Sequence, residues 1–180
     1  MTTKSLSIKA RGAASAVLVA VCAMGTLMPG PARADPVPGQ AIDIPAVRLI
    51  DGRTLPAGYF KGQPVVIEYW ASWCPFCARQ NPYLQKLTVL AREKGLRILT
   101  VSIDRADTDA RDYVRKHHYT FPVAMDTPEL RRVFGKRRVI PQIFVVAADG
   151  RLAESIPGEM FEEDVLDLIK YAPGRAPSRH

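Results

Sequence analysis

Val65-Val66-Ile67-Glu68-Tyr69-Trp70-Ala71-Ser72-Trp73-Cys74-Pro75-Phe76-Cys77 is the stretch on which the reading of this chain turns. Apart from Glu68, its first six residues are β-branched or aromatic with no alternation, the composition of a strand covered on both faces in a parallel sheet. Pro75 then takes the favoured first-turn position of a helix, so Cys74 falls at the N-cap. Leu84, Leu87, Val89 and Leu90 continue at helical spacing and Gly95 marks the end, with Pro82 expected to kink the helix between them.

That placement gives the two sulfurs different characters. A helix N-terminus presents unpaired N–H groups and a partial positive charge, which favour a thiolate over a thiol. Cys74 is therefore read as a nucleophile. Cys77, three residues on and over the same helix face, is read as the less exposed resolving thiol. The implied chemistry is attack by Cys74 on a disulfide, a mixed-disulfide intermediate, and release when Cys77 closes the Cys74–Cys77 disulfide. Run backwards, the same steps oxidise a dithiol.

Two plainer readings compete. A stapling disulfide would not require the strand-to-helix junction. A structural zinc site wants four ligands, whereas the only histidines are His117, His118 and His180, two of them adjacent and one terminal. No metal or other cofactor is expected. Glu68 is read as a carboxyl inside an apolar strand, where desolvation raises its proton affinity and suits it to hold or pass a proton. The alternative is a glutamate that reaches solvent at the strand end.

Working outward to the N-terminus, no acidic residue precedes Asp35. Lys4, Lys9 and Arg11 form a positive start, Ala13 to Met28 an apolar run, and Ala32-Arg33-Ala34 an A-x-A site, the pattern of a secretory leader cleaved after Ala34. The apolar run falls short of the roughly 20 residues a membrane-spanning helix needs. An uncleaved anchor is the alternative. A lipoprotein reading through Cys22 fails because Val21 stands where a small residue is wanted. Loss of Lys4, Lys9, Arg11 and Arg33 lowers the formal charge from +7 to +3, too little to imply a nucleic-acid partner. Outside the cytoplasm, a remaining pair of cysteines closes unless something reduces it.

The rest of the chain divides into a flexible lead-in over 35–45, one domain over 46–172 and a disordered tail over 173–180. Val47 to Leu55 reads as two short strands around Asp51-Gly52. Leu96 to Ile103 is a strand, Thr108 to His117 a helix, Phe121 to Met125 a short strand and Pro128 to Phe134 a short helix. Gln142 to Val146 and Arg151 to Ile156 form a hairpin around Asp149-Gly150, and Phe161 to Tyr171 closes as a helix. This order puts helices on both faces of a mixed sheet, an α/β fold. Arg131, Arg132, Lys136, Arg137 and Arg138 place five cations in eight residues, a plain solvated face or a steering patch.

Taken together, Glu68 to Cys77 with Pro82, the N-terminal hairpin, Phe121-Pro122-Val123 to Asp126, and Ile140-Pro141 to Asp149-Gly150 resemble thioredoxin-like proteins of the exported TlpA and ResA branch. The resemblance covers most of Val47 to Ile169. It implies a thioredoxin-like three-layer sandwich, a cis bond before Pro141, and main-chain groups of Ile140 offered to a substrate strand. Trp73, Pro75 and Phe76 would join Ile140 and Pro141 in contacting substrate. Glu68, six residues before Cys74, is similar to the family's buried acid, which takes the proton when the resolving thiol attacks. Two departures leave the direction of electron flow open. Pro75-Phe76 is neither the Gly-Pro nor the Pro-His dipeptide of well-known members, and Thr100 stands where thioredoxins carry a lysine. Potentials in this fold span roughly 150 mV, or about 7 kcal/mol.

The function the resemblance implies is a periplasmic reductant acting on specific cysteine-containing proteins, of the cytochrome c or copper-site maturation type. It would be recharged by a membrane-bound electron donor and act as a monomer. A disulfide donor or isomerase is the second expectation. A Cu(I) carrier using Cys74, Cys77 and a histidine is the third, and a peroxidase falls behind these for want of a separate third thiol in the mature chain.

Overall fold

The six residues of β3, Val65–Trp70, run through the middle of a five-stranded sheet. The computed structural model describes residues 35–174, together with Thr2. The leader expected before Asp35 and the tail beyond residue 174 lie outside the described residues. On one side of β3 stand β4 (Arg97–Ser102) and then β5 (Val123–Met125), both parallel to their neighbours. On the other side β6 (Gln142–Val146) pairs antiparallel with β3, and β7 (Leu152–Pro157) antiparallel with β6. The mixed order β5-β4-β3-β6-β7 explains the uniform β3 sequence: its edges are hydrogen-bonded and both faces are covered. Every β3 residue is fully buried. Each large apolar side chain there contributes on the order of 1.5–3 kcal/mol.

Alternate side chains of β3 feed two cores. Val66 and Trp70 point into one with Leu84, Leu87 and Ala91 of α1 (Pro75–Lys94), Ala110 of α2 (Asp107–Lys116) and Val165 of α4 (Glu162–Asp167). Val65, Ile67 and Tyr69 point into the other with Leu130 and Phe134 of α3 (Pro128–Phe134) and with Val47, Leu49 and Leu55. Helices thus cover both faces, the thioredoxin-like three-layer sandwich expected from the sequence. The N-terminal hairpin is also present, β1 (Val47–Arg48) against β2 (Thr54–Leu55), turning at Asp51-Gly52 with Gly52 at φ 93°.

The element limits follow local chemistry. Thr127 caps α3, its hydroxyl accepting the Leu130 N–H, and Gly95 ends α1 in the left-handed region at φ 73°. Helix α1 continues through Pro82. The closing helix is a shorter α4 than expected, with the stretch Leu168–Tyr171 tightened into a 3-10 turn.

Residues 35–45, expected to be a flexible lead-in, are instead tied to the sheet. Gly39 and Ile42 donate backbone N–H groups to Leu152 and Gly150 at 2.8 Å, Leu152 returns one to Gln40, and Ile42 and Ile44 are buried in the second core. The prolines and glycines in this stretch gave no apolar period to read, but two isoleucines suffice to dock it. Among the described residues, no helix is long and apolar enough to cross a membrane.

Candidate active site

Cys74 is the N-cap of α1, with extended backbone (φ −86°, ψ 116°) and Pro75 as the first helical residue. Its Sγ accepts the Cys77 backbone N–H at 3.2 Å and lies 3.8 Å from the Ile140 carbonyl oxygen, to which its S–H donates. Both cysteines are free thiols, the reduced half of the expected couple. Cys74 is 3% exposed and Cys77 fully buried, whereas Trp73 and Phe76 beside them are 66% and 51% exposed. The sulfur therefore sits at the foot of an aromatic rim. Burial, and then the hydrogen bond with Cys74, pushes the Cys77 thiol well above its ordinary value, with Glu68 adding to the push. Cys77 is thus held as a neutral thiol until something takes its proton.

The Ile140–Pro141 peptide is cis. The loop before β6 lies over the N-terminus of α1, its Ile140 carbonyl against Cys74, and the Pro141 carbonyl is held by the Gly158 N–H at 2.9 Å. Of the residues singled out in the sequence, Trp73, Pro75, Phe76, Ile140 and the two cysteines come together at one end of the sheet.

Glu68 lies beneath them and does not reach solvent: it is fully buried on the α1 face of β3. Its Oε1 accepts the Gln80 amide at 2.8 Å, and Oε2 has no partner. Burial raises its pKa from 4.5 to about 8, partly offset by the Gln80 hydrogen bond. Thr100, its register partner on β4, turns its hydroxyl to the Pro122 carbonyl at 3.0 Å. No cation among the described residues pairs with the carboxyl.

Sequence reasoning missed the residues that hold this arrangement. Gln80 and Asn81 are wholly buried on α1, and Asp104 is buried at the end of β4. The Asp104 carboxylate accepts the Ser72 N–H at 3.1 and 3.2 Å, the Ser72 hydroxyl at 2.9 Å and the Ser102 hydroxyl at 2.7 Å. Those bonds fix the turn that delivers Trp73 and Cys74. The available signal was a polar residue ending an apolar strand beside the active-site strand. Arg79 donates twice to Glu159, at 2.7 and 2.6 Å, with its guanidinium 4.8 Å over the Phe76 ring. Among the described residues, no three His, Cys, Asp or Glu side chains converge as a metal site would require.

An N-cap thiol, a buried thiol three residues on and a cis-proline loop beside them are the arrangement of a thioredoxin-like thiol-disulfide oxidoreductase. Residues 38–169 match the family described as Redoxin, and the chain belongs to that family. It is 29% identical over 122 residues to the thiol-disulfide oxidoreductase ResA of Bacillus thuringiensis subsp. konkukian, covering 67% of this chain and 70% of that protein. Among solved structures it is similar to a thioredoxin-family thiol:disulfide interchange protein from Chlorobium tepidum (TM-score 0.68, 26% identity, 78% of this chain and all of that one). It shares its fold with StoA of Bacillus subtilis (TM-score 0.61, 22% identity, 72% of this chain and 98% of that one).

Proposed function

We propose that this chain is an exported reductant of specific protein disulfides, with Cys74 as nucleophile, Cys77 as resolving thiol and Glu68 as proton acceptor. The leader over residues 1–34, cleaved after Ala34, would deliver it to the periplasm. The observation that supports the direction is the sparse set of donors around the Cys74 sulfur. It receives one backbone N–H and no side-chain donor among the described residues, and Arg79 on the next turn is held by Glu159. Strong disulfide donors stabilise their own reduced form; here no side-chain donor among the described residues adds to what the helix N-terminus gives the Cys74 sulfur.

Cys74 gives up its thiol proton to solvent and its sulfur bonds to one sulfur of the partner disulfide, while the partner's other sulfur leaves as a thiolate and takes up a proton. Cys77 gives its proton to Glu68 in its ionised form, bonds to Cys74 and expels the second partner sulfur, which is protonated in turn, and Glu68 then releases its proton to solvent. Two electrons and two protons pass to the partner, and a membrane-bound dithiol donor restores the pair. A carboxyl raised to about 8 lies closer to a thiol in proton affinity than an ordinary carboxylate does, which narrows the gap for the transfer from Cys77. The Ile140 carbonyl and the exposed Trp73 and Phe76 support strand-like docking of a cysteine-bearing segment, as in maturation of a cytochrome c or copper site.

The test is capture. Cys77→Ser in the exporting cell should accumulate a mixed disulfide between Cys74 and a discrete set of exported proteins, reversed by dithiothreitol. Capture of nothing, or capture through Cys74→Ser equally well, would sink the reading.

A further inference from the structure

The five cations of 131–138 do not act as one patch. Arg131 is spent on Asp126 at 2.7 Å and Arg132 on Glu129 at 2.8 Å. Arg137 turns inward: its side chain is 1% exposed and pairs with Asp35 at 2.7 Å. Its guanidinium also donates to Gln142 and to the Phe134 carbonyl, and lies 5.0 and 4.8 Å from the Tyr69 and Phe144 ring centroids. A buried Arg137 turns its neighbours on either side outward. Lys136 and Arg138 are exposed and have no acidic partner among the described residues.

These two free cations lead directly to the reacting sulfur. Val139, 47% exposed, follows Arg138, and the next residue places its carbonyl 3.8 Å from Cys74 Sγ. Two residues span at most about 7 Å of chain, so a segment lying along Ile140 toward Cys74 passes Arg138. On the other flank Arg105, after Asp104, is exposed and likewise unpaired among the described residues. Acids nearby are already engaged: Asp104 by Ser72 and Ser102, Asp107 by Arg111, Glu159 by Arg79. Glu163 and Asp164, which no ion pair holds among the described residues, belong to α4 and not to this loop.

Resting on the reductant reading, we propose that Lys136 and Arg138, held outward by the buried Arg137, form a docking edge for an acidic segment flanking the substrate disulfide. The partner is thus a protein whose reducible cysteine lies beside Asp or Glu residues. Free surface cations next to a reaction centre raise encounter rates for anionic partners, and the effect fades with salt.

The experiment is single-turnover oxidation of the prereduced protein by synthetic disulfide peptides flanked by Asp, Ser or Lys, in wild type and in Lys136→Glu/Arg138→Glu. Wild type should prefer the Asp-flanked peptide over the Lys-flanked one by about tenfold at low salt, with the preference collapsing by about 0.5 M salt. The exposed double variant should invert that order and leave the Ser-flanked rate unchanged. Equal rates for all three peptides in wild type, or a preference unmoved by the double variant, would overturn the docking edge while leaving the redox reading intact. No turnover of any peptide would instead remove the reading beneath it. Charge-independent peptide rates, with binding to phosphatidylglycerol vesicles lost in the double variant, would overturn it in favour of a membrane surface.

Discussion

The Gln80 side-chain amide donates to Glu68 Oε1 at 2.8 Å, and its orientation is fixed because the Gln80 carbonyl oxygen accepts the Met160 N–H at 2.7 Å. Among the described residues a neutral amide is thus the carboxyl's single partner, leaving burial to govern its proton affinity. The loop between β7 and α4 thereby helps set the state of an acid beneath the cysteines.

Replacing that acid should separate the two half-reactions. Glu68→Gln should leave the first attack by Cys74 within about twofold and slow closure by Cys77, starting from a preformed mixed disulfide, by about a hundredfold. In wild type the closure rate should climb with pH toward about 8 as the carboxyl ionises, and in the variant that rise should vanish. Stopped-flow measurement across this range decides it, and wild-type closure rates in the variant would remove Glu68 from the mechanism.

The same carboxyl makes stability fall as pH rises. Its folded-state value near 8 exceeds the ordinary 4.5, so the folded chain keeps a proton that the unfolded chain has released. The stabilisation is complete below about 4.5 and is lost progressively as pH rises to about 8. Urea unfolding should show Glu68→Gln gaining on wild type by up to a few kcal/mol over that window. A stability difference that does not change with pH would contradict the buried neutral carboxyl.

Asp104 is a positioning residue for the turn before Cys74. Asp104→Ala leaves the Ser72 N–H and two hydroxyls without their acceptor, a loss of about 1–3 kcal/mol. It should also change Cys74 alkylation by iodoacetamide severalfold without altering closure from a preformed mixed disulfide. Unchanged alkylation with reduced stability would make the residue structural only.

What the sequence made legible depended on regular local rules. The uniform apolar run of Val65–Trp70, Pro75 after the N-cap cysteine and Gly95 at the helix end each carry a backbone preference that acts within a few residues. They fixed β3, α1 and the paired thiols, and Asp149-Gly150 did the same for the last hairpin. Gln80 to Glu68, Asp104 to Ser72 and Arg137 to Asp35 are contacts between partners 12 to 102 residues apart, which no local pattern encodes. Arg137 is the clearest case: within a run of cations it reads as solvated, yet Asp35 and two aromatic rings draw it inside. The docking of residues 35–45 was hidden for the same reason, since its partners lie on β7 and in the turn before it.

The account rests on the direction of electron flow, and the equilibrium reduction potential of the Cys74–Cys77 pair tests that most directly. Equilibration in dithiothreitol or glutathione buffers, read by thiol-specific labelling, should give a value near or below roughly −270 mV, that of a reductant. A value near roughly −120 mV, that of a strong disulfide donor, would contradict the account.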